Sequence, residues 1–309
     1  MLREGKMTVT VVMSTYNGEK YLREQIESIL RQEEIETVLF VRDDGSSDGT
    51  LDILREYAAK YQNVSFSAGD NLGVGRSFQE ALRTAPRSTY YAFADQDDVW
   101  LPRKLIAGIN VLESSKCNGI ETPLLYTCRT IPADNELRPL KEEKNYIGIT
   151  FGSSLLENHA SGCTFVFNSR AAELFLRFPH EQICIHDWDL LRIVLAAGGK
   201  VFQDENGYVL YRQHGSNAVG ADVSKKHRAG KMLRGDPLQK LRGRLVFADH
   251  LRKTYADVIP EDNLRILDSL CDYNKSFSSR MALIRSGEIA RTDRTDDMIF
   301  KILFLFGLL

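Results

Sequence analysis

The chain opens as an alternation of short β-branched runs and longer stretches with apolar residues at helical spacing. Residues 8–13, Thr-Val-Thr-Val-Val-Met, have strand length and composition. A small polar turn, residues 14–18, follows, and then Tyr21, Leu22, Ile26, Ile29 and Leu30 fall on one helical face. Residues 37–41 read as a second strand, ending in a turn rich in Asp, Gly and Ser at 42–50. Asp48 is the expected N-cap of a helix whose stripe is Leu51, Leu54, Tyr57, Ala58 and Tyr61. Residues 64–67 are a third strand, and 71–76 open a helix carrying Phe78, Ala81 and Leu82. Residues 90–94, Tyr-Tyr-Ala-Phe-Ala, read as a buried fourth strand. This strand–helix alternation predicts an α/β protein: a mostly parallel, Rossmann-like central sheet with helices on both faces. Ligands of such sheets bind beyond the carboxyl ends of the strands.

The second half mixes its periods. Strands are expected at 123–131 and 163–168, helices at 169–178 and 185–197, the latter stopped by Gly198-Gly199. Two further short strands, 200–203 and 207–212, close at residues 213–217. Composition shifts near residue 220, and the tail reads as helical. The expected division is a domain at 1–220, with a nucleotide-binding half at about 8–100 and an acceptor half at about 101–220, then a helical C-terminal extension at 221–309.

The 309 residues carry a net charge of −2, so no global basic bias suggests nucleic acid as a partner. Five cysteines without a Cys-x-x-Cys pair fit free thiols in a reducing cytoplasm better than a disulfide frame or zinc site. Residues 1–7 lack an apolar secretory core, and no apolar run reaches membrane-spanning length, so neither a signal peptide nor a span is expected.

Chemistry concentrates just after the fourth strand. Asp95, Asp97 and Asp98 stand within four residues. Carboxylates this close repel unless a cation sits among them. Hard cations such as Mg²⁺ and Mn²⁺ take oxygen ligands and bridge carboxylates to substrate phosphates. Thr15–Asn17, Asp43–Asp44 and Asp95–Asp98 all stand at strand ends and would converge on one crevice.

Six segments in order resemble the family 2 glycosyltransferases, inverting enzymes of the GT-A fold that use nucleotide-diphosphate sugars. They are Thr15-Tyr16-Asn17-Gly18, Asp43-Asp44-Gly45-Ser46-Ser47-Asp48, Asn71-Leu72-Gly73, Asp95-Gln96-Asp97-Asp98, His186-Asp187-Trp188 and Tyr211-Arg212-Gln213-His214. The wording of the last three is most similar to bacterial rhamnosyltransferases of cell-wall polysaccharide and O-antigen synthesis. The resemblance implies donor-binding roles for Thr15, Tyr16, Asn17, Asp43, Asn71, Gly73, Arg76, Asp95 and Gln96. Asp43 would accept from N3–H of uracil or thymine, giving a UDP- or dTDP-sugar donor. Arg76 is either a diphosphate ligand or a surface arginine. Asp97 is the first choice of ligand for Mn²⁺ or Mg²⁺, with Asp98 supporting or sharing it and His214 completing the set.

An acceptor hydroxyl needs a positioned base. Asp187 matches the family's base, and Asp189 is its rival. Relatives often carry an acid where this chain has His186, which would share the proton traffic or shape the pocket. Trp188 is a wall for the sugar or core, and Ser161 and Gly162 would sit by the acceptor. The implied acceptor is a saccharide or a lipid-linked saccharide. The alternatives are another UDP- or dTDP-sugar, a nucleotidyltransferase, or a non-catalytic sugar-nucleotide-binding protein. One glycine in residues 14–18 argues against the second, and Asp187 beside the full carboxylate set against the third.

Residues 298–309 are apolar with one charge, and residues 224–244 hold eight Lys or Arg. The apolar end is compatible with a peripheral contact at the inner face of the cell membrane, with docking on the domain, or with a homodimer.

Overall fold

The computed structural model describes residues 7–115, 121–140, 148–214 and 237–307. These divide into two compact units. The first takes 7–115, 121–140, 160–194 and 199–214; the second takes 148–159, 195–198 and 237–307.

The first unit begins as the alternation predicts: β1 Thr8–Thr15, α1 Leu22–Leu30, β2 Glu36–Asp43, α2 Thr50–Lys60, β3 Val64–Ala68, α3 Val74–Thr84 and β4 Tyr90–Ala94. After it come β5 Val99–Trp100, α4 Lys104–Ser114, β6 Leu124–Ala133, β7 Val166–Asn168, α6 Ser169–Arg177, α7 His186–Ala196 and β8 Lys200–Arg212, with the short α5 Phe151–Leu156 in the second unit. The eight strands form one sheet in the order β3-β2-β1-β4-β7-β6-β8-β5. Neighbours β3-β2-β1-β4 and the pair β6-β8 run parallel; β4-β7, β7-β6 and β8-β5 run antiparallel. Register aligns the strand ends, with Thr15 opposite Asp43 and Met13 opposite Ala94.

Both faces of the sheet's centre are covered, which explains why β1 and β4 are buried along nearly their whole length instead of alternating. On one face Val9, Val11 and Met13 join Leu22, Ile26 and Ile29 in a buried cluster. On the other, Phe93 meets Phe78, Phe167 and Phe175 edge-on or tilted. Each such ring contributes roughly 1.5–3 kcal/mol by its burial.

Several elements differ from the sequence expectation for local reasons. Tyr21 is not on the core stripe of α1; it is the N-cap residue and turns toward a cleft. The N-cap of α2 is Gly49, not Asp48. Asp48 stands one residue earlier and accepts from Thr50 N–H at 3.0 Å and Glu19 N–H at 3.1 Å. The strand expected at 163–168 begins as a 3-10 turn, Gly162–Thr164, because Thr164 N–H returns to Ser161 C=O at 3.0 Å. The two strands expected at 200–203 and 207–212 are one strand, β8. Its register on β6 slips beside Asp204, whose carboxylate accepts from Asn206 N–H at 2.8 Å and so bends the chain without breaking it.

The second unit is helical: besides α5 it holds α8 Pro237–Thr254, α9 Glu261–Cys271, α10 Phe277–Ser286 and α11 Arg294–Leu305. Asp293 caps α11 by accepting from Thr295 and Asp296 N–H. Phe300 and Phe304 point inward, where Phe304 tilts against Tyr273. Met298, Ile302 and Phe306 are 57%, 46% and 66% exposed along the opposite side. The apolar end is therefore docked on its own unit by one face only. Among the described residues no helix is long and apolar enough to cross a membrane. Most of the basic stretch 224–244 lies outside the described residues, as do Cys117 and the end of the 213–217 turn.

Candidate active site

The ends of β1 and β2 are laced together by side chains. Asp43 is fully enclosed: Thr15 Oγ1 donates to it at 3.1 Å and Ser46 through both its N–H and its hydroxyl. Asn17, in the left-handed region at φ 49°, donates its N–H to Ser46 Oγ and accepts from Ser47 N–H, both at 2.8 Å. Asp44 is buried beside Arg42 and receives Leu72 N–H at 2.8 Å and Gly73 N–H at 3.0 Å. Gly73 takes φ 81°, which an L side chain rarely adopts, and so turns the chain into α3. Asn71 supports that turn by accepting from the same N–H at 3.1 Å. Arg42 further donates to Ser77 Oγ and Asp70 C=O at 2.9 Å each. Arg76 is exposed on the first turn of α3, in electrostatic range of Cys184.

The carboxylate turn after β4 faces two ways. Gln96 clasps the backbone of Tyr16, accepting from its N–H at 2.9 Å and donating to its C=O at 3.1 Å. Asp97 Oδ2 lies 2.8 Å from His214 Nε2. Both border a cleft of about 570 Å³ lined also by Tyr16, Asn17, Gly18, Lys20, Tyr21, Gln96 and Asn135. Asp98 points the other way. It is buried, Oδ1 accepts from Arg212 N–H at 3.2 Å, and the Cys163 thiol lies against the carboxylate. Asp95, Asp98 and Cys163 bring an oxygen, an oxygen and a sulfur within 4.8 Å of one another.

Burial and the charges of Asp98, Asp97 and Asp187 push the Asp95 carboxyl well above the usual carboxylate range. Burial and Asp97 push Asp98 up to about 7. Behind them the buried Lys104 ammonium lies 3.5 Å over the Trp100 ring, and burial pushes it down to about 8. Such stacked acidity is what a divalent cation relieves.

Across from this turn stands the start of α7. Asp187 Oδ2 accepts from Gly162 N–H at 3.0 Å and Oδ1 from Trp188 N–H at 2.5 Å. A Cβ on Gly162 would come within 2.6 Å of His186 Nε2 and 2.9 Å of Asp187 Cβ, so only glycine permits this approach. Ser161 is exposed beside it. His186 is stacked on Phe78 at 3.7 Å and sits edge-on to Phe93 at 5.2 Å. Burial pushes it down to about 3, so the imidazole is uncharged at physiological pH. Trp188 is half-buried under the Arg192 guanidinium, 4.3 Å away. Asp189 is buried, pairs with Arg192, and accepts from Cys184 and Ile185 N–H at 2.8 and 3.1 Å.

The sequence residues thus gather in two neighbouring places: Tyr16, Asn17, Gln96, Asp97 and His214 on the cleft, and Asp95, Gly162, His186 and Asp187 around the acid behind it. Thr15, Asp43, Asn71 and Gly73 shape the loops, and Arg76 lies apart from the cleft lining. Sequence reasoning missed Lys20, Tyr21 and Asn135 in the cleft. Tyr21 read as part of the apolar face of α1, and Asn135 carried no signal.

A sheet whose first four strands are parallel, with a carboxylate turn ending its central strand β4, is the frame of a GT-A glycosyltransferase. The profile of Glycosyl transferase family 2 matches residues 10–175. The dTDP-rhamnosyl transferase RfbG of Shigella flexneri is 30% identical over 225 residues, covering 69% of this chain and 75% of that protein. The putative glycosyltransferase EpsE of Bacillus subtilis is 37% identical over 110 residues, or 35% of this chain and 39% of that one. Among solved structures, S. aureus TarS 1-349 superposes with a TM-score of 0.57 at 16% identity, covering 97% of this chain and 79% of TarS. Its complex with UDP-GlcNAc gives 0.56 at 14% identity over 92% and 82%. These last two share the fold. The chain belongs to glycosyl transferase family 2 and is a glycosyltransferase.

Proposed function

We propose that this enzyme is a metal-dependent inverting transferase that moves a sugar from a dTDP- or UDP-linked donor to a saccharide or lipid-linked saccharide. Similarity to the Shigella dTDP-rhamnosyl transferase favours L-rhamnose as the sugar. One observation carries the reading: Asp97 and His214 meet at 2.8 Å on the cleft wall, while Asp95 couples electrostatically to Asp97 on one side and Asp187 on the other.

Asp97 and His214 would hold the cation. A carboxylate oxygen beside an imidazole nitrogen is a donor set that suits Mn²⁺ better than Mg²⁺. When bound, the metal supplies charge neutralisation to the departing diphosphate. Tyr16 and Asn17, on the turn that Thr15 and Asp43 brace, line the nucleotide end, and Lys20 offers the cleft a positive charge. Asp187 receives the acceptor hydroxyl's proton as that oxygen bonds the anomeric carbon. The bond to the diphosphate breaks in the same displacement, inverting the configuration. The two N–H donors on Asp187 hold its carboxylate in a fixed direction. His186, neutral and enclosed, shapes this side and takes no part in proton transfer.

The test is a panel of dTDP-, UDP- and GDP-sugars, read by thermal shift with Mn²⁺ and by NMR of the product. A bound pyrimidine donor raises the melting temperature, about 2.7 kcal/mol at a hundredfold excess over Kd, and the product is inverted. Preference for GDP-sugars, or full turnover in excess EDTA, sinks the reading.

A further inference from the structure

We propose that Arg212 is the positioning residue for the Asp97–His214 edge, an inference that rests on the metal-holding role given to that edge above. Arg212 ends β8 and is buried to 2% exposure. Its guanidinium spends its donors on three separate parts of the first unit. Nε donates to Asp97 C=O at 3.0 Å, Nη1 to Asn135 C=O, and Nη2 to the Glu24 carboxylate on α1. Its backbone N–H takes Asp98 Oδ1, so one residue grips the carboxylate turn at two consecutive positions.

The guanidinium carbon also lies 4.5 Å from the centre of the Tyr21 ring, which the His214 ring meets at 5.0 Å and Lys20 Nζ at 4.7 Å. Tyr21 OH donates to Asn135 Oδ1 at 3.1 Å, closing the frame. The order Arg212–Tyr21–His214 fixes the imidazole from behind, and the bond to Asp97 C=O fixes the carboxylate it meets.

Stability alone does not account for this arrangement. Arg212 is enclosed, yet its carboxylate partner Glu24 is 57% exposed, so the pair gains little over an apolar side chain of the same volume. A planar fork with fixed donor directions does what lysine's single ammonium does not: it ties two carbonyls and a carboxylate in one geometry. Supporting residues of this kind are worth about 10–100-fold in metal affinity.

The experiment uses the full chain with Arg212→Lys, Glu24→Gln and Asp97→Asn, each measured for melting temperature, kcat, acceptor KM and the Mn²⁺ concentration giving half-maximal turnover. Arg212→Lys is expected to fold and keep its acceptor KM while needing about tenfold more Mn²⁺ or above. Glu24→Gln is expected to shift the Mn²⁺ requirement the same way by a smaller factor. Because Glu24 is exposed, its substitution decides the matter even if Arg212→Lys fails to fold. Wild-type Mn²⁺ dependence in Glu24→Gln and in any folded Arg212→Lys overturns the proposal. So does a loss in which kcat and every KM simply follow the melting temperature. If Asp97→Asn is inactive while the other two keep wild-type Mn²⁺ dependence, only this inference falls. If Asp97→Asn is fully active, the edge itself has been misassigned and the underlying reading falls with it.

Discussion

Two aspartates two positions apart in α7 stand in opposite surroundings. Asp187 is half-buried at the helix start, held by two amide N–H groups. Asp189 is enclosed and spends both oxygens on Arg192 and the turn before the helix. On the proposed role of Asp187 as base, Asp187→Asn should lower the acceptor transfer rate by about 10²–10⁴ with donor binding unchanged. Asp189→Asn should instead cost roughly 3–5 kcal/mol of stability, because it leaves the Arg192 charge buried and unmatched. Rates and melting curves on both variants separate the two roles; a stable, inactive Asp189→Asn would reverse them. His186 gives a different signature. Its folded value of about 3 lies below the ordinary 6.5, so the folded state resists protonation. That contribution is complete above pH 6.5 and is lost as the pH falls toward 3, at about 1.4 kcal/mol per unit at most. His186→Phe should flatten the acid limb of the stability profile in denaturant titrations between pH 7 and 5; an unchanged slope would place the acid sensitivity elsewhere.

At the scale of elements, local pattern was enough wherever an apolar run and the helix after it each kept a clear period. β1 through β4 with their helices follow directly from runs such as 8–13 and stripes such as Leu22, Ile26 and Ile29. Beyond Asp98 that correspondence weakens. The two-residue β5 exists because β8, a hundred residues on, pairs with it, and nothing in Val99–Trp100 announces this. α4 was passed over because Leu105, Ile106, Ile109 and Leu112 are enclosed with Lys104 and Gly108, which blurs the amphipathic stripe. The site was legible as a set of polar strand ends, but its working geometry was not. Asp97 and Asp98 are adjacent in sequence and face opposite ways; Arg212, which tells them apart, came as one letter of a motif. Gly162 is the element-scale test of the acceptor side. Gly162→Ala forces His186 or Asp187 to move, so acceptor turnover should fall by about 10²-fold, the cost of misplacing a catalytic group by about an ångström. Donor-induced stabilisation should survive in the same variant, and its loss would mean that the two sides of the site are not separable.

The whole molecule combines a sheet-based unit that carries the chemistry with a helical unit that ends in the half-docked α11. The latter's outward stripe, Met298, Ile302 and Phe306, is built of side chains that usually seek cover. The feature with the widest consequence is the position of β4. Tyr90, Tyr91 and Ala92 are hydrogen-bonded to a parallel neighbour on one edge and an antiparallel one on the other. The following turn leaves the ladder, and Gln25 takes the Asp95 carbonyl at 2.9 Å. Backbone amides in β4 should therefore exchange with deuterium only when the sheet opens globally, while those at 96 and 97 exchange through local excursions many orders faster. The proposed reacting groups are mounted where a rigid floor ends, on a turn that Gln25 and Arg212 hold close to the floor's register. Bound donor and metal should slow the fast side toward the slow one; uptake at 96 and 97 that ignores both would mean that the turn is already set before anything binds.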